Sequence, residues 1–441
     1  MRQSPAQSGS GGLRAQLMRG AMGSAGVQGS SRVLALVLGI VLARVLGAED
    51  YGIYVYAIAI MNILMIVAEA GVPPLLMREV AAAHGSMQWG LLQGAVMRSR
   101  QFVLLVSIGV TVVGYTALWW FSSGMEKSEA VTTALMLTLI PFSALAKTYA
   151  HVLRGLHHIV IGQVLELLLR PVLVLVFVVA LFLLSPEYRQ AEYVMGCQLL
   201  GIVLVLLISK QLLKRYQPSE LRDSKVVTRD REWLQSALPF TLIGGAWIIN
   251  GQTDIIMLGW YWTPKDVGIY RVGVQGAGLA IFGLQVIIAV VSPQFSRMYA
   301  QGDTKRLQKL VTLSARLSLG ASLPFICLFV FAGRDILLWV FGESYVDGYW
   351  PLAILSIGQL FNAAAGLLGF LLNMTGNEKD TATILWSSVI LNIVLNFLLV
   401  PTYGNVGAAS ASAFSMVMWN IGLMVLVNRR LHLNPTVFNR L

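Results

Sequence analysis

Charged side chains are scarce in this sequence. Asp, Glu, Lys and Arg together make up 12% of its 441 residues, against roughly 25% in a soluble domain, while 56% are hydrophobic. So few charges cannot solubilise a chain this long. With a mean hydropathy of +0.70, an ordinary soluble enzyme and a nucleic-acid-binding module are both excluded. Cysteine is nearly missing as well. Cys197 and Cys327 are the two present; both fall inside apolar segments and far apart, which reads as inert packing rather than a disulfide framework. The five histidines (84, 151, 157, 158 and 432) have no metal-ligand spacing, so neither a metal nor another cofactor is expected. No polar stretch is long enough to fold by itself, which leaves any function to the apolar segments.

Long apolar runs are what the chain has in plenty. A bilayer core needs about 20 apolar residues per helix. Twelve such segments can be drawn, at roughly 30–47, 52–72, 101–122, 130–150, 159–184, 193–213, 236–260, 266–292, 310–332, 350–373, 381–401 and 405–428. This predicts an all-α integral membrane protein with about 12 transmembrane helices. Residues 1–29, rich in Gly, Ser and Gln, are expected to be a disordered cytoplasmic start. A signal peptide is not expected, because the run from Val33 contains Arg44, lacks an Ala-x-Ala pattern and ends in Gly-Ala-Glu-Asp. Residues 30–213 would form an N-terminal lobe (helices 1–6) and 236–428 a C-terminal lobe (helices 7–12). Residues 214–235 would be a cytoplasmic linker acting as a tether, and 429–441 a cytoplasmic tail. Residues 79–97 mix Ala, Leu and Met with His84, Gln88 and Gln93, a pattern that predicts an amphipathic helix along the inner surface.

Lys and Arg set the orientation, because cytoplasmic loops retain positive charge. With the N-terminus inside, 25 of the 32 fall at inner ends and loops, and four (Lys127, Arg189, Lys265, Arg334) at outer ones. Both termini are therefore expected to be cytoplasmic. The same bias explains the net charge of +11 without any nucleic acid.

The two halves echo each other. Asp50-Tyr51-Gly52-Ile53-Tyr54 recurs as Asp266-Val267-Gly268-Ile269-Tyr270, Pro74 and Arg78 as Pro293 and Arg297, and Arg154-Gly155 as Thr375-Gly376. Three matches at nearly constant offset, with six helices per half, predict two like-oriented lobes related by a pseudo-two-fold axis along the membrane normal around a central cleft. Transporters use that arrangement for alternating access.

At these residues the sequence resembles the polysaccharide transporters (Wzx-type lipid-linked oligosaccharide flippases) of the MOP superfamily. The resemblance runs through Leu46 to Tyr54, Leu168-Leu169-Arg170-Pro171, Asp254 to Gly259 with Val267 to Tyr270, Pro293 to Ala300, Phe341 to Tyr345, Asn373 to Gly376 and Pro401 to Ala409. It implies a flippase, not an enzyme. The implied activity carries undecaprenyl-pyrophosphate-linked oligosaccharide repeat units from the inner to the outer leaflet of the bacterial cytoplasmic membrane, for O-antigen, capsule or exopolysaccharide assembly. Lipid-linked oligosaccharide and membrane lipids would be its partners, with a polysaccharide polymerase and chain-length machinery as further candidates. A multidrug exporter of the same superfamily is the alternative. A membrane polysaccharide polymerase or ligase is a weaker one, since the short outer loops hold no His and no Ser/His/Asp grouping, and no catalytic residue is assigned.

A charge at mid-bilayer costs around 2.5–3.5 kcal/mol on the gentler insertion scale, so it should face a partner or a wet cavity. Arg32, Arg44, Arg170 and Arg271, with Asn250, Gln252 and Gln275, are the candidate substrate-binding residues, because guanidinium forks bind phosphate oxygens bidentately. Glu69, Glu166 and Asp254 are the candidate ion-coupling acids. Glu166 and Arg170, four apart, are expected to pair on one helix face. Arg32 with Glu69, and Arg271 with Asp254, are expected to pair across their hairpins. Lys147, Lys210 and Arg316 lie nearer helix ends, where snorkelling is expected.

Overall fold

The computed structural model describes residues 10–221, 224–281, 287, 291, 294–435 and 437, with side chains from residue 22 onward except Ser122 and Pro186. Among the described residues all regular structure is helical. Helix α1 spans Ser10–Glu69, α2 Val72–Gly85, α3 Trp89–Phe121 and α4 Lys127–Gly155. The fifth span is composite: α5 (Ile159–Gln163), a π-helical turn (Val164–Leu169) and α6 (Arg170–Leu184). Then come α7 (Ala191–Tyr216), α8 (Asp230–Tyr261), α9 (Pro264–Leu279), α10 (Thr304–Val340), α11 (Tyr349–Ala365), α12 (Leu368–Met374) and α13 (Glu378–Leu431). Seven of these are long and apolar enough to cross a membrane, and α11 with α12 makes a bent eighth.

Two of the seven do double duty. Helix α1 breaks at Gly47 (φ 76°) and α13 at Gly404 (φ 50°), backbone conformations that only glycine adopts without strain. The chain doubles back at each. Ala35 to Leu42 of the first α1 limb line one cavity with Tyr51 to Asn62 of the second. In α13, Asn392 donates to Ser412 at 3.1 Å across its limbs. With these limbs counted singly, and α8 and α9 added, the helices accommodate the twelve expected crossings. Much of the end of the eighth span, and Pro293 just after it, lie outside the described residues.

Several local expectations are corrected. Residues 10–29 are helical rather than disordered: extending a helix from an apolar span is far easier than nucleating one. Residues 79–97 are not one helix. Helix α2 ends at Gly85, Met87 takes φ 55° and α3 starts at Trp89. The linker is no free tether, because Val227 N–H donates to the Gly90 carbonyl at 3.0 Å and Leu221 is buried.

The packing of buried side chains defines the two lobes. On the side away from the termini, called distal here, one apolar core unites both halves, from Leu42, Tyr51 and Val194 to Tyr270, Tyr345 and Ala408. On the proximal side the core splits. One cluster, around Leu76, Leu92 and Leu153, belongs mainly to the first half; another, around Phe295, Leu371 and Val427, belongs wholly to the second. At the distal junction the backbones nearly touch. A Cβ on Gly52 would fall 1.7 Å from the Pro264 carbonyl oxygen, and one on Gly268 would fall 2.2 Å from that of Ala48. Such an approach is open only to glycine, which explains the repeated glycine of the echoed motif. Trp119, Trp120, Trp260, Trp339 and Trp350 are exposed near distal helix ends, where indoles prefer the membrane–water interface.

Candidate functional site

The distal seal leaves two cavities that share Asn62. The first, about 170 Å³, lies between the lobes and is lined by Gly39, Tyr51, Tyr54, Gln252, Arg271 and Gln275 among others. The second, about 280 Å³, lies within the first lobe and is lined by Glu69, Lys147, Glu166 and Arg170, with Ile248 from the other half.

Helix α4 presents three bases on one face, Lys147, His151 and Arg154, at the i, i+4, i+7 spacing that stacks side chains. Lys147 Nζ meets Glu69 Oε2 at 2.8 Å, and Arg154 Nη2 meets Glu166 Oε2 at 2.5 Å, with His151 Nδ1 3.9 Å from the same oxygen. Both acids are thus compensated from α4. Lys147 does not snorkel, and Glu69 does not pair with Arg32, which is exposed and in no ion pair among the described residues. Glu166 does not pair with Arg170 either. Pro171 has no N–H for the Leu167 carbonyl, the helix widens into its π turn at Val164–Leu169, and each of the two residues finds a partner on another helix. π turns of this kind recur at functional sites.

Arg170 and Arg271 have no carboxylate partner among the described residues. Each stands near a tyrosine of the echoed motif instead. Arg170 Nε donates to Gln198 Oε1 at 3.3 Å, and Gln198 Nε2 donates to the Tyr54 hydroxyl at 2.7 Å. Tyr51 and Arg271 line the central cavity together. The echoed motif thus sets one tyrosine near each of two cleft cations. Its Asp50 accepts from the Ala191 N–H at 2.9 Å, capping the N-terminus of α7.

Asp254 is turned away from Arg271, against expectation. It accepts from Tyr270 Oη at 2.6 Å, Ser412 Oγ at 2.6 Å and Asn396 Nδ2 at 2.9 Å, inside the second lobe. Tyr270 is the repeat mate of Tyr54, so equivalent tyrosines serve a cation in one lobe and an anion in the other. This network was missed in the sequence, although the repeated tyrosine was its visible signal. Gln275 Nε2 donates to the carbonyls of Ala35 at 3.2 Å and Leu36 at 3.3 Å, tying the lobes beside Gly39. Gln252 lines the central cavity, the Asn250 Oδ1 is buried without a partner among the described residues, and Arg44 is exposed, donating to the Trp339 carbonyl. Of the predicted set, then, Glu69, Glu166 and Arg170 share one cavity and Arg271, Gln252 and Gln275 the adjoining one. Arg32, Arg44, Asn250 and Asp254 are outside both.

Comparison with known proteins agrees with this architecture. Residues 17–299 match the model of the family described as polysaccharide biosynthesis protein, and residues 247–398 match the MatE family. The probable low-salt glycan biosynthesis flippase Agl15 of Haloferax volcanii is 24% identical over 381 residues, covering 85% of this chain and 76% of the relative. A putative O-antigen transporter of Shigella flexneri is 29% identical over 126 residues, 28% of this chain and 30% of its own. Among solved structures, an inward-facing multidrug resistance MATE family transporter of the MOP superfamily superposes with a TM-score of 0.75 at 14% identity, over 91% of this chain and 94% of the other. The lipid II flippase MurJ, in an inward closed conformation, superposes with a TM-score of 0.72 at 14% identity, over 92% and 87%. With a family model matching well over half of it, and with two helical lobes around a charged cleft, the chain belongs to the polysaccharide biosynthesis protein family, as a flippase-type membrane transporter of the MOP superfamily and not an enzyme.

Proposed function

We propose that this chain moves a polyprenyl-pyrophosphate-linked oligosaccharide (undecaprenyl pyrophosphate in a bacterial cytoplasmic membrane) from the proximal to the distal leaflet by alternating access. The observation that carries the reading is the pair Arg170 and Arg271. Each lines one of two adjoining cavities and forms no ion pair with a carboxylate among the described residues, Glu69 and Glu166 being taken by bases of α4, which is the chemistry a pyrophosphate needs. Two uncompensated guanidiniums oppose a cationic drug, so the exporter alternative is set aside. The printed names of the flippase relatives support a glycan cargo, and the basic loops favour a cytoplasmic proximal face with both termini inside. Assembly enzymes that polymerise the delivered units are the natural partners.

In this reading the phosphate also competes with Glu69 for Lys147, releasing Glu69 for a proton or another cation. That replaces the competition at Arg32 and at the Arg271–Asp254 pair. Asp254 and Glu166 keep their proposed place as coupling acids, through lobe-internal networks.

Binding of undecaprenyl pyrophosphate to the purified protein in nanodiscs tests the proposal. Charge-assisted hydrogen bonds contribute about 1.5–3 kcal/mol, so Arg170→Gln and Arg271→Gln should each weaken binding about tenfold or more. Unchanged binding by the double variant, or tight binding of a cationic dye in its place, refutes the reading. A cysteine at Lys265, labelled only from outside intact cells, checks the orientation.

A further inference from the structure

The repeat builds a second chamber that the arginines do not reach. It measures about 530 Å³ and lies in the second lobe, between α8, α11, α12 and both limbs of α13. Three of its walls are the repeat counterparts of walls around the Lys147 cavity, since α11 and α12 stand for α4, the first α13 limb for the π-turned fifth span and the second for α7. The chemistry is inverted. Where the first lobe offers Lys147 and Arg170, this chamber is lined by Trp247, Trp419 and Phe370 with Asn362, Asn373, Asn420 and Glu378. No Lys or Arg lines it among the described residues, so it cannot be a second phosphate site.

Trp247 and Trp419 stand edge to face, with ring centroids 5.9 Å apart and planes at 72°. Trp247 is 56% exposed, a large open indole face beside a polar wall. Asn420 Nδ2 donates to Asn362 Oδ1 at 3.4 Å, while Asn373 and Glu378 are exposed and make no hydrogen bond among the described residues. A pyranose ring has the matching shape. Its C–H face carries partial positive charge and packs on the electron-rich indole face, and its hydroxyls need groups that both donate and accept, as the amide and carboxylate side chains do. A lipid tail would leave these four polar side chains unused. The volume lies in the range of small-molecule sites, about 300–1,000 Å³.

The chamber adjoins the charged cavity. Trp247 and Ile248 are consecutive on α8; the first lines this chamber and the second lines the Lys147 cavity, one helix width apart, about 10 Å. We propose that the chamber is a carbohydrate subsite that takes the sugar portion of the transported lipid while Arg170 and Arg271 hold its pyrophosphate. It rests on the function proposed above, and it assigns the two lobes separate halves of one ligand.

The test compares nanodisc binding of bare undecaprenyl pyrophosphate with a panel carrying one glucose, galactose or N-acetylglucosamine. At least one sugar-bearing probe should bind the unaltered protein about three- to tenfold tighter than the bare lipid, the increment an aromatic contact supplies. Trp247→Leu and Trp419→Leu should abolish that increment and leave bare-lipid affinity within twofold, and Trp247→Phe should retain most of it. If either Leu variant fails to fold by thermal melting, Asn373→Ala and Glu378→Gln, both at exposed positions, should cause the same loss. The proposal is overturned if no sugar in the panel adds affinity, or if the Trp variants weaken bare and sugared lipid equally, which would make the chamber a seat for the lipid tail. Loss of the sugar increment while Arg170→Gln and Arg271→Gln leave bare-lipid binding intact would instead sink the arginine reading and keep the subsite.

Discussion

The Glu69–Lys147 pair offers the sharpest quantitative test. Three variants are compared with the unaltered protein: Glu69→Gln, Lys147→Met and the two combined. The partners lie 2.8 Å apart, with side chains 11% and 33% exposed. Removing one member of a fully buried pair costs about 3–5 kcal/mol, because a charge is left uncompensated. Lys147 is one-third open to the cavity and its charge is partly screened, so stranding it by Glu69→Gln should cost less, about 2 kcal/mol. Lys147→Met strands the more enclosed carboxylate, whose Oε1 already lacks a partner among the described residues, and should cost about 3 kcal/mol. The combined variant leaves no stranded charge and should return to within about 1 kcal/mol. Because the entropy of unfolding scales with length, each kcal/mol corresponds to roughly 1 °C for a chain of this size. Melting followed by tryptophan fluorescence should therefore rank Lys147→Met lowest, Glu69→Gln next and the combined variant near the unaltered protein. Ligand binding should rank differently: Glu69→Gln frees Lys147 and tightens undecaprenyl pyrophosphate, while Lys147→Met weakens it. If the combined variant melts no higher than Lys147→Met, or if Glu69→Gln fails to tighten the ligand, the competition between carboxylate and phosphate is wrong.

Gly52→Ala places a methyl where the Pro264 carbonyl stands, so it should part the lobes distally; a cysteine at the buried Leu42 should then react with a polar maleimide from the distal side at least tenfold faster, and unchanged reactivity would count against the seal. Gly90→Val should displace the linker, since a Cβ there falls 2.1 Å from the Lys225 carbonyl oxygen, and limited proteolysis within residues 218–228 should speed up with little change in melting. Burial, reinforced by the neighbouring His157 and His84, holds the His158 imidazole below its usual 6.5. A base depressed in the folded state contributes stability that is full above the unfolded value and is lost as pH falls through it. Hydrogen exchange at residues 155–160 should therefore accelerate, beyond the intrinsic pH effect, below about pH 6.5, and His158→Gln should remove that dependence.

The fold was legible because bilayer spans are written in length and composition, which need no partner to be read. Gly47 and Gly404 interrupt the long helices near the boundaries that polarity alone suggested. The side-chain pairings were less legible, since adjacency along a hairpin does not fix the rotation of either helix. Asp254 and Arg271 sit at matching depths, yet Tyr270, Asn396 and Ser412 claim the carboxylate. Glu166 and Arg170 have ideal α-helical spacing, but Pro171 and the π turn change the helix on which that spacing depends. Lys147 looked like a snorkelling residue because nothing local marks Glu69, 78 residues earlier, as its neighbour.

The apolar core that is single distally and double proximally also constrains how the chain is made. Synthesis proceeds at about 5–20 residues per second, and the shared core draws on residues from Leu42 to Ala409. The distal face of the first lobe, with Tyr51 and Val55 on it, therefore waits roughly 15–60 s for the helices that cover it, down to Tyr345 and Leu352. The first lobe's proximal core, built from residues up to about Ala237, is complete well before that. The nascent protein thus passes through a stage with one lobe packed at its base and open at its far end. A membrane chaperone or quality-control protease would meet the chain with that face unpaired, and substitutions in the repeated Gly-Ile-Tyr turn would prolong that exposure.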